Sequence, residues 1–211
     1  MKTILEIVND IKNNEEKVIG SIDKSDLQTY KFIQQEFMKG DVSCNEKFQS
    51  RFMSFYRLYG AGLTSEFKKV YFNLMQENRS TIFFSQDDIK EIIYRLYEFK
   101  NAKGSNCIHF SFTTKLMHTI NNNLPIYDSK IRDCFSFKTP YLHLDNEVRV
   151  DEYLKQYEII KTTYNSIIRN NLLDSTIVKF KIKFFDYKIS NTKILDFLLW
   201  STGKLFNKNE E

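Results

Sequence analysis

The 211-residue chain has little glycine, proline or cysteine. Six glycines and two prolines are too few for the dense turns of an all-β fold. Its three cysteines, Cys44, Cys107 and Cys134, lie far apart and form no CxxC pair, so we expect free thiols and no metal site. No apolar run approaches the roughly 18 residues of a membrane helix, and the N-terminus soon becomes amphipathic and acidic, unlike a signal peptide. We therefore expect a cytoplasmic protein without a membrane partner.

What the composition does provide is a core and a mildly basic surface. Hydrophobic residues make up 42% of the chain and charged residues 27%, which fits one domain of ordinary size. The formal net charge of +4 permits a nucleic-acid partner without requiring one. An AT-rich coding sequence gives the same bias towards lysine, asparagine and aromatic residues, so this bias by itself indicates no function.

Helical periodicity dominates the rest of the chain. Ser85 and Asp88 form a capping-box pattern before an apolar stripe at helical spacing, Thr64 is a second predicted N-cap, and Gly40 is placed to end a helix. Similar stripes recur before and after this segment. The later patterns predict helices over 86–100, about 112–121, from Asp128, over about 151–170, and from about Ser190.

Residues 178–184 are ambiguous, because apolar residues and lysines alternate strictly there, as in a half-buried strand. A lone strand would have no partner in this chain. We therefore favour a helix or irregular structure. Lys179, Lys181 and Lys183 are expected on a solvated face, with a DNA-facing basic strip as the alternative.

Two residues, Lys115 and Asp128, are candidates for a catalytic role. Lys115 lies at the start of a predicted helix, and Asp128 follows thirteen residues later, directly after the Leu124-Pro125 turn. A lysine and a carboxylate brought together at helix N-termini can form and break a Schiff base. Taken singly, the lysine is an ordinary solvated residue and the aspartate an ordinary N-cap.

The order of helix, short connection, lysine-bearing helix, proline turn and aspartate resembles the helix-hairpin-helix DNA glycosylase superfamily. The resemblance is strongest to its lysine-bearing, 8-oxoguanine glycosylase-like branch, and it covers about residues 85–135. Weaker similarity extends over 55–64 and 195–200. It implies that Lys115 is the nucleophile and that Asp128 stabilises the oxocarbenium-like transition state. The target base would first be flipped out of the duplex.

The family hairpin has glycines two and four residues before the lysine, where this chain has Thr113 and Ser111. Their hydroxyls can still donate to a DNA phosphate, although the hairpin geometry must differ. Lys130 and Arg132 follow Asp128 and are further candidates for phosphate contacts. His109 is expected in the hairpin or core rather than as a general base, and no role is assigned to His118.

The sequence thus predicts an all-α, two-lobed helical bundle forming one domain over 1–211, with an active-site cleft between the lobes. The catalytic segment would span about 85–135, and the N- and C-terminal helices would form the companion lobe. The predicted function is a DNA glycosylase with AP-lyase activity, monomeric and without a cofactor, acting on an oxidised purine in double-stranded DNA. The alternative is a DNA-binding or protein-interaction module without catalysis, which the missing glycines favour. A purely structural helical protein is a third possibility.

Overall fold

A computed structural model describes residues 1–207, and every regular element in that range is helical. The α-helical part of the prediction is confirmed: residues 1–207 contain no strand. None of these helices is both long and apolar enough to cross a membrane. A 3₁₀ turn lies at Tyr59–Ala61. The α-helices are α1 (Ile4–Asn13), α2 (Glu15–Gly20), α3 (Lys24–Lys39), α4 (Glu46–Phe55), α5 (Ser65–Glu77), α6 (Gln86–Tyr97), α7 (Phe110–Ile120), α8 (Ser129–Cys134), α9 (Asn146–Arg169), α10 (Asp174–Lys183) and α11 (Asn191–Asn207).

Several helices begin where local side-chain chemistry predicts. The Ser85 hydroxyl accepts the Asp88 amide at 3.1 Å, and the Asp88 carboxylate accepts the Ser85 amide at 2.8 Å, which completes the capping box of α6. Thr64 caps α5 through the Phe67 amide. α3 ends at Lys39, directly before Gly40. In α5 and α6 the cap satisfies backbone amides that the helix itself leaves unbonded.

The alternating segment 178–184 is largely helical, as part of α10. Phe180 and Phe184, four residues apart, are buried, whereas Val178 and Ile182 are exposed. The alternation therefore does not correspond to one buried face. Lys179 pairs with Glu15, and the Lys183 amine donates to the Ile19 carbonyl at 2.8 Å.

The chain divides into two compact units. Unit 2 is the continuous stretch Ser25–Asn121, and unit 1 combines Met1–Lys24 with the chain from Asn122 onward. The boundary between Asn121 and Asn122 falls inside the predicted catalytic segment 85–135. Each unit has its own core.

Unit 2 has an aromatic core. The Phe52 ring of α4 lies 4.7 Å from Tyr56, 5.8 Å from Tyr71 and 5.7 Å from Phe72, measured between ring centroids. Such pairs add edge-to-face and tilted ring contacts to the burial of large apolar surfaces. α7 packs against α5 and α6 in this unit. The core thus provides a rigid support for α7.

Unit 1 is organised around α11. This helix packs against α1, α2, α8, α9 and α10. A helix enclosed on so many sides must be apolar nearly all round, and residues 192–199 are buried without interruption. Two of those eight residues, Lys193 and Asp196, are charged.

Candidate functional site

Lys115 lies in the second turn of α7 rather than at its start. The helix begins at Phe110, because the His109 carbonyl already accepts the Phe112 amide at 2.9 Å and the Thr113 amide at 3.0 Å. This corrects the predicted position of the helix start, about residue 112. The lysine is only 6% exposed.

The Lys115 amine is held from within its own helix. Its Nζ donates to the Ser111 hydroxyl at 2.5 Å and lies 5.8 Å from the centroid of the Phe112 ring. The Tyr71 hydroxyl donates to the Phe112 carbonyl at 2.9 Å, which ties this turn of α7 to α5. The amine therefore lies beside the Phe112 ring, bonded to the Ser111 hydroxyl of the preceding turn.

The two histidines of this segment are parts of the unit 2 core. The His109 ring stacks on Phe112 at 5.1 Å and meets the edge or face of Phe67 at 4.5 Å, between centroids. Burial lowers the pKa of His109 to about 4, so the ring is neutral near pH 7. His118 is fully buried, and its Nε2 lies 3.1 Å from the Tyr30 hydroxyl.

The predicted phosphate ligands Ser111 and Thr113 are residues of α7, not of a preceding hairpin loop. Thr113 is fully buried, and its hydroxyl donates to the His109 carbonyl at 3.3 Å. The Ser111 hydroxyl accepts the Lys115 amine. Phosphate binding by these hydroxyls stays a prediction, and it requires that their hydrogen bonds within α7 break.

Asp128 is the N-cap of α8. Its Oδ1 accepts the Lys130 and Ile131 amides, both at 3.0 Å, from an extended backbone conformation. The second carboxylate oxygen, Oδ2, is not used by the cap. The side chain is half-buried, so a cap and a chemical role are compatible.

Arg132 is already engaged by neighbours in unit 1. Its guanidinium donates to Asp133 Oδ1 at 2.8 and 3.1 Å, and to the Thr139 hydroxyl at 2.8 Å. Lys130 is half-buried, and its backbone carbonyl faces Gly203 of α11. Both predicted DNA contacts thus lie beside Asp128, with Arg132 the more constrained of the two.

Sequence reasoning missed the buried charges of α11. Lys193 and Asp196 are each 4% exposed, and Lys193 Nζ lies 3.6 Å from Asp196 Oδ2. A lysine and an aspartate three residues apart in the apolar run Ile194-Leu195-Asp196-Phe197-Leu198-Leu199 were a usable signal, because isolated charges are costly in a core. The run was predicted as part of the last helix and noted for its weak family similarity, but neither charged residue was given a role.

Lys115 belongs to unit 2 and Asp128 to unit 1. Their predicted approach in one cleft stays a prediction. Among the residues that the structure describes, no three histidine, cysteine, aspartate or glutamate side chains come together in a way that could hold a metal ion.

No protein-family model, no curated protein sequence and no solved structure matches the chain.

Proposed function

We propose that this chain is a DNA glycosylase with associated AP-lyase activity that excises a damaged base, an oxidised purine by resemblance, through a Schiff base on Lys115. The observation that carries the proposal is the burial of Lys115, with its amine held 2.5 Å from the Ser111 hydroxyl. Nucleophilic lysines are commonly desolvated and fixed in position, whereas a lysine on a helix ordinarily extends into water.

The reaction has two roles for side chains. The neutral Lys115 amine attacks the anomeric carbon of the deoxyribose, the bond to the base breaks, and the base departs with the bonding electrons. Loss of a proton from the nitrogen and opening of the sugar ring give the Schiff base, from which β-elimination cleaves the strand. The Asp128 carboxylate stabilises the positive charge that develops on the sugar as the base leaves.

Borohydride trapping tests this proposal. Duplexes carrying 8-oxoguanine or an abasic site, incubated with the full chain and reduced, should give a covalent protein–DNA adduct. Lys115→Gln should abolish the adduct because it removes the amine proposed to form the Schiff base. Asp128→Asn should slow base release from the 8-oxoguanine duplex by about 10²–10³-fold, the usual cost of one electrostatic group.

The matched control is Lys155→Gln, which removes an exposed helical lysine paired with Glu152 and should leave trapping unchanged. An adduct that persists in Lys115→Gln would show that another amine is the nucleophile. Absence of any adduct or free base from the unmodified chain would reject the glycosylase proposal.

A second function is favoured by the inward-facing hydroxyls of Ser111 and Thr113. If these hydrogen bonds within α7 do not break, the two hydroxyls cannot bind a phosphate in the way that the family resemblance implies. The chain would then be a DNA-binding or protein-interaction module without catalysis. Duplex binding with neither adduct nor base release is the result that this alternative predicts.

A further inference from the structure

The four residues 125–128, here called the aspartate turn, are held by side chains of α9 and α11. Asp196 Oδ1 accepts the Ile126 amide at 3.2 Å. One residue earlier, the Pro125 carbonyl accepts the Tyr157 hydroxyl at 2.9 Å. The Tyr127 hydroxyl donates to Gln156 at 2.6 Å. Three consecutive residues before Asp128 are thus each bonded to a helix of unit 1.

Burial of the Asp196 carboxylate beside the aspartate turn is energetically unfavourable. Asp196 is 4% exposed, and it is accompanied by the equally buried Lys193 and by the Tyr164 hydroxyl, which donates to Oδ1 at 2.9 Å. Apolar side chains of similar volume usually stabilise a core as well as a buried ion pair does, or better. Stability alone therefore gives no reason for a carboxylate at this position, whereas fixing the geometry of the Ile126 amide does.

The same face of α11 also holds the far side of Asp128. Cys134 Sγ, in α8, donates to the Leu199 carbonyl at 2.9 Å. The Lys130 carbonyl approaches Gly203 so closely that a Cβ there would lie 2.3 Å from it. Residues 196, 199 and 203 share one face at helical spacing. This face fixes the chain both before and after Asp128.

We propose that Asp196 is a positioning residue for Asp128. It fixes the aspartate turn, and the turn fixes the direction in which Asp128 presents Oδ2 from the N-terminus of α8. The assignment rests on the proposed function, because a positioned Asp128 matters for rate only if its carboxylate takes part in the reaction. Asp196 itself contacts neither DNA nor the reacting atoms in this scheme.

The role is expected to depend on pH. Burial raises the pKa of Asp196 to about 6, against the opposing effects of Lys193, the Tyr164 hydroxyl and the Ile126 amide. Asp128 adds a smaller effect in the raising direction. From α9, Tyr157 also faces the turn. Protonation removes the charge that pairs with Lys193 and weakens Asp196 as an acceptor, so positioning should be lost as pH falls through about 6.

The test is the single-turnover rate of base release from an 8-oxoguanine duplex, followed from pH 5 to 8 with the full chain. The Asp196→Asn variant should react about 10- to 10²-fold more slowly at pH 7, because misplacing a group by about 1 Å can cost 10²-fold. The decrease near pH 6 in the unmodified chain should disappear in this variant. Affinity for the duplex should change less than about twofold, since Asp196 touches no DNA.

Tyr164→Phe is the matched control, since it removes a second bond to the same carboxylate but leaves the Ile126 contact. It should keep the pH-dependent decrease and move it to higher pH, because the lost hydroxyl had favoured the ionised form. Tyr157→Phe removes the hydrogen bond to the Pro125 carbonyl of the turn and should slow the reaction while keeping the decrease.

A folded Asp196→Asn variant with the rate and pH profile of the unmodified chain overturns the positioning role and leaves the glycosylase proposal standing. Should Asp196→Asn fail to fold, as judged by circular dichroism, an unchanged rate in Tyr157→Phe overturns it instead. No base release or adduct from the unmodified chain at any pH rejects both the glycosylase proposal and the role that rests on it.

Discussion

The bond between Lys115 and Ser111 is made within one turn of α7, so the helix backbone sets its geometry. Ser111→Ala removes the acceptor of the Lys115 amine. In the neutral form that attacks the sugar, the Lys115 amine makes an ordinary hydrogen bond, which typically contributes about 0.5–1.5 kcal/mol, and each 1.4 kcal/mol corresponds to about tenfold in rate. We therefore expect borohydride trapping on an abasic duplex to slow by about two- to tenfold.

Two substitutions control that measurement. Ser111→Thr keeps a hydroxyl at the same position and should retain most of the rate. Ser54→Ala removes an exposed serine of α4 and should change nothing. Equal trapping rates for Ser111→Ala and Ser111→Thr would show that the hydroxyl does not orient the amine.

At the level of single residues, the sequence predicted the helix caps, which depend only on residues close by in the chain. Asp128 and Ser85 were expected to be caps, and both are, because a cap is made by amides two or three residues away. Asp196 could not be assigned, because its partners Ile126 and Tyr164 are 70 and 32 residues distant. The role of Ser111 was missed because the predicted start of α7 was late.

At the scale of helices, α8 packs against α11, and their contact at the Lys130 carbonyl depends on Gly203. Gly203→Ala would place a Cβ 2.3 Å from the Lys130 carbonyl. Backbone cannot yield as a flexible side chain does, so α8 must shift. Overpacking of this kind costs about 1–3 kcal/mol, which urea unfolding would measure. Base release should slow as well, because α8 carries Asp128 at its N-terminus.

Gly20→Ala is the control, since a Cβ at this last residue of α2 meets nothing within 4 Å. It should be neutral or stabilise by up to about 0.5–1 kcal/mol, the usual gain of alanine over glycine in a helix. If Gly203→Ala were as stable as Gly20→Ala, α8 would not be seated on α11 as described.

At the level of helices, the apolar pattern indicated most of the elements but not all of their ends. α9 begins at Asn146, five residues before the predicted start, because only Val150 of those five residues is buried and extends the apolar stripe. The ambiguity at 178–184 was resolved by tertiary packing: α10 buries Phe180 and Phe184 in unit 1 and leaves Ile182 in solvent. Local alternation could not distinguish these surroundings.

For the molecule as a whole, the proposed function predicts salt-dependent DNA binding. Each phosphate contact contributes about −0.9 to the slope of log affinity against log salt. Lys130→Ala should reduce the slope by about 1 and weaken binding equally for every duplex sequence. Arg132→Ala should have a smaller effect, because its guanidinium is already bonded to Asp133 and Thr139. Fluorescence anisotropy at several salt concentrations measures both.

Lys155→Ala, at an exposed position paired with Glu152, serves as the comparison and should leave the slope unchanged. A Lys130→Ala slope equal to that of the unmodified chain would remove this lysine from the predicted DNA contacts. Affinity independent of salt would contradict phosphate recognition altogether.

The discontinuity of unit 1 has a consequence for the order of events on the ribosome. Unit 2 can complete its core once residue 121 has emerged, whereas α1 and α2 must wait for helices encoded roughly 100 residues or more downstream. At about 5–20 residues per second, synthesis of the roughly 90 residues after Asn121 takes some 5–20 s. For that time α1 and α2 have, among their final neighbours in unit 1, only each other, so the apolar surface that α1 later buries against α9 and α11 lies exposed.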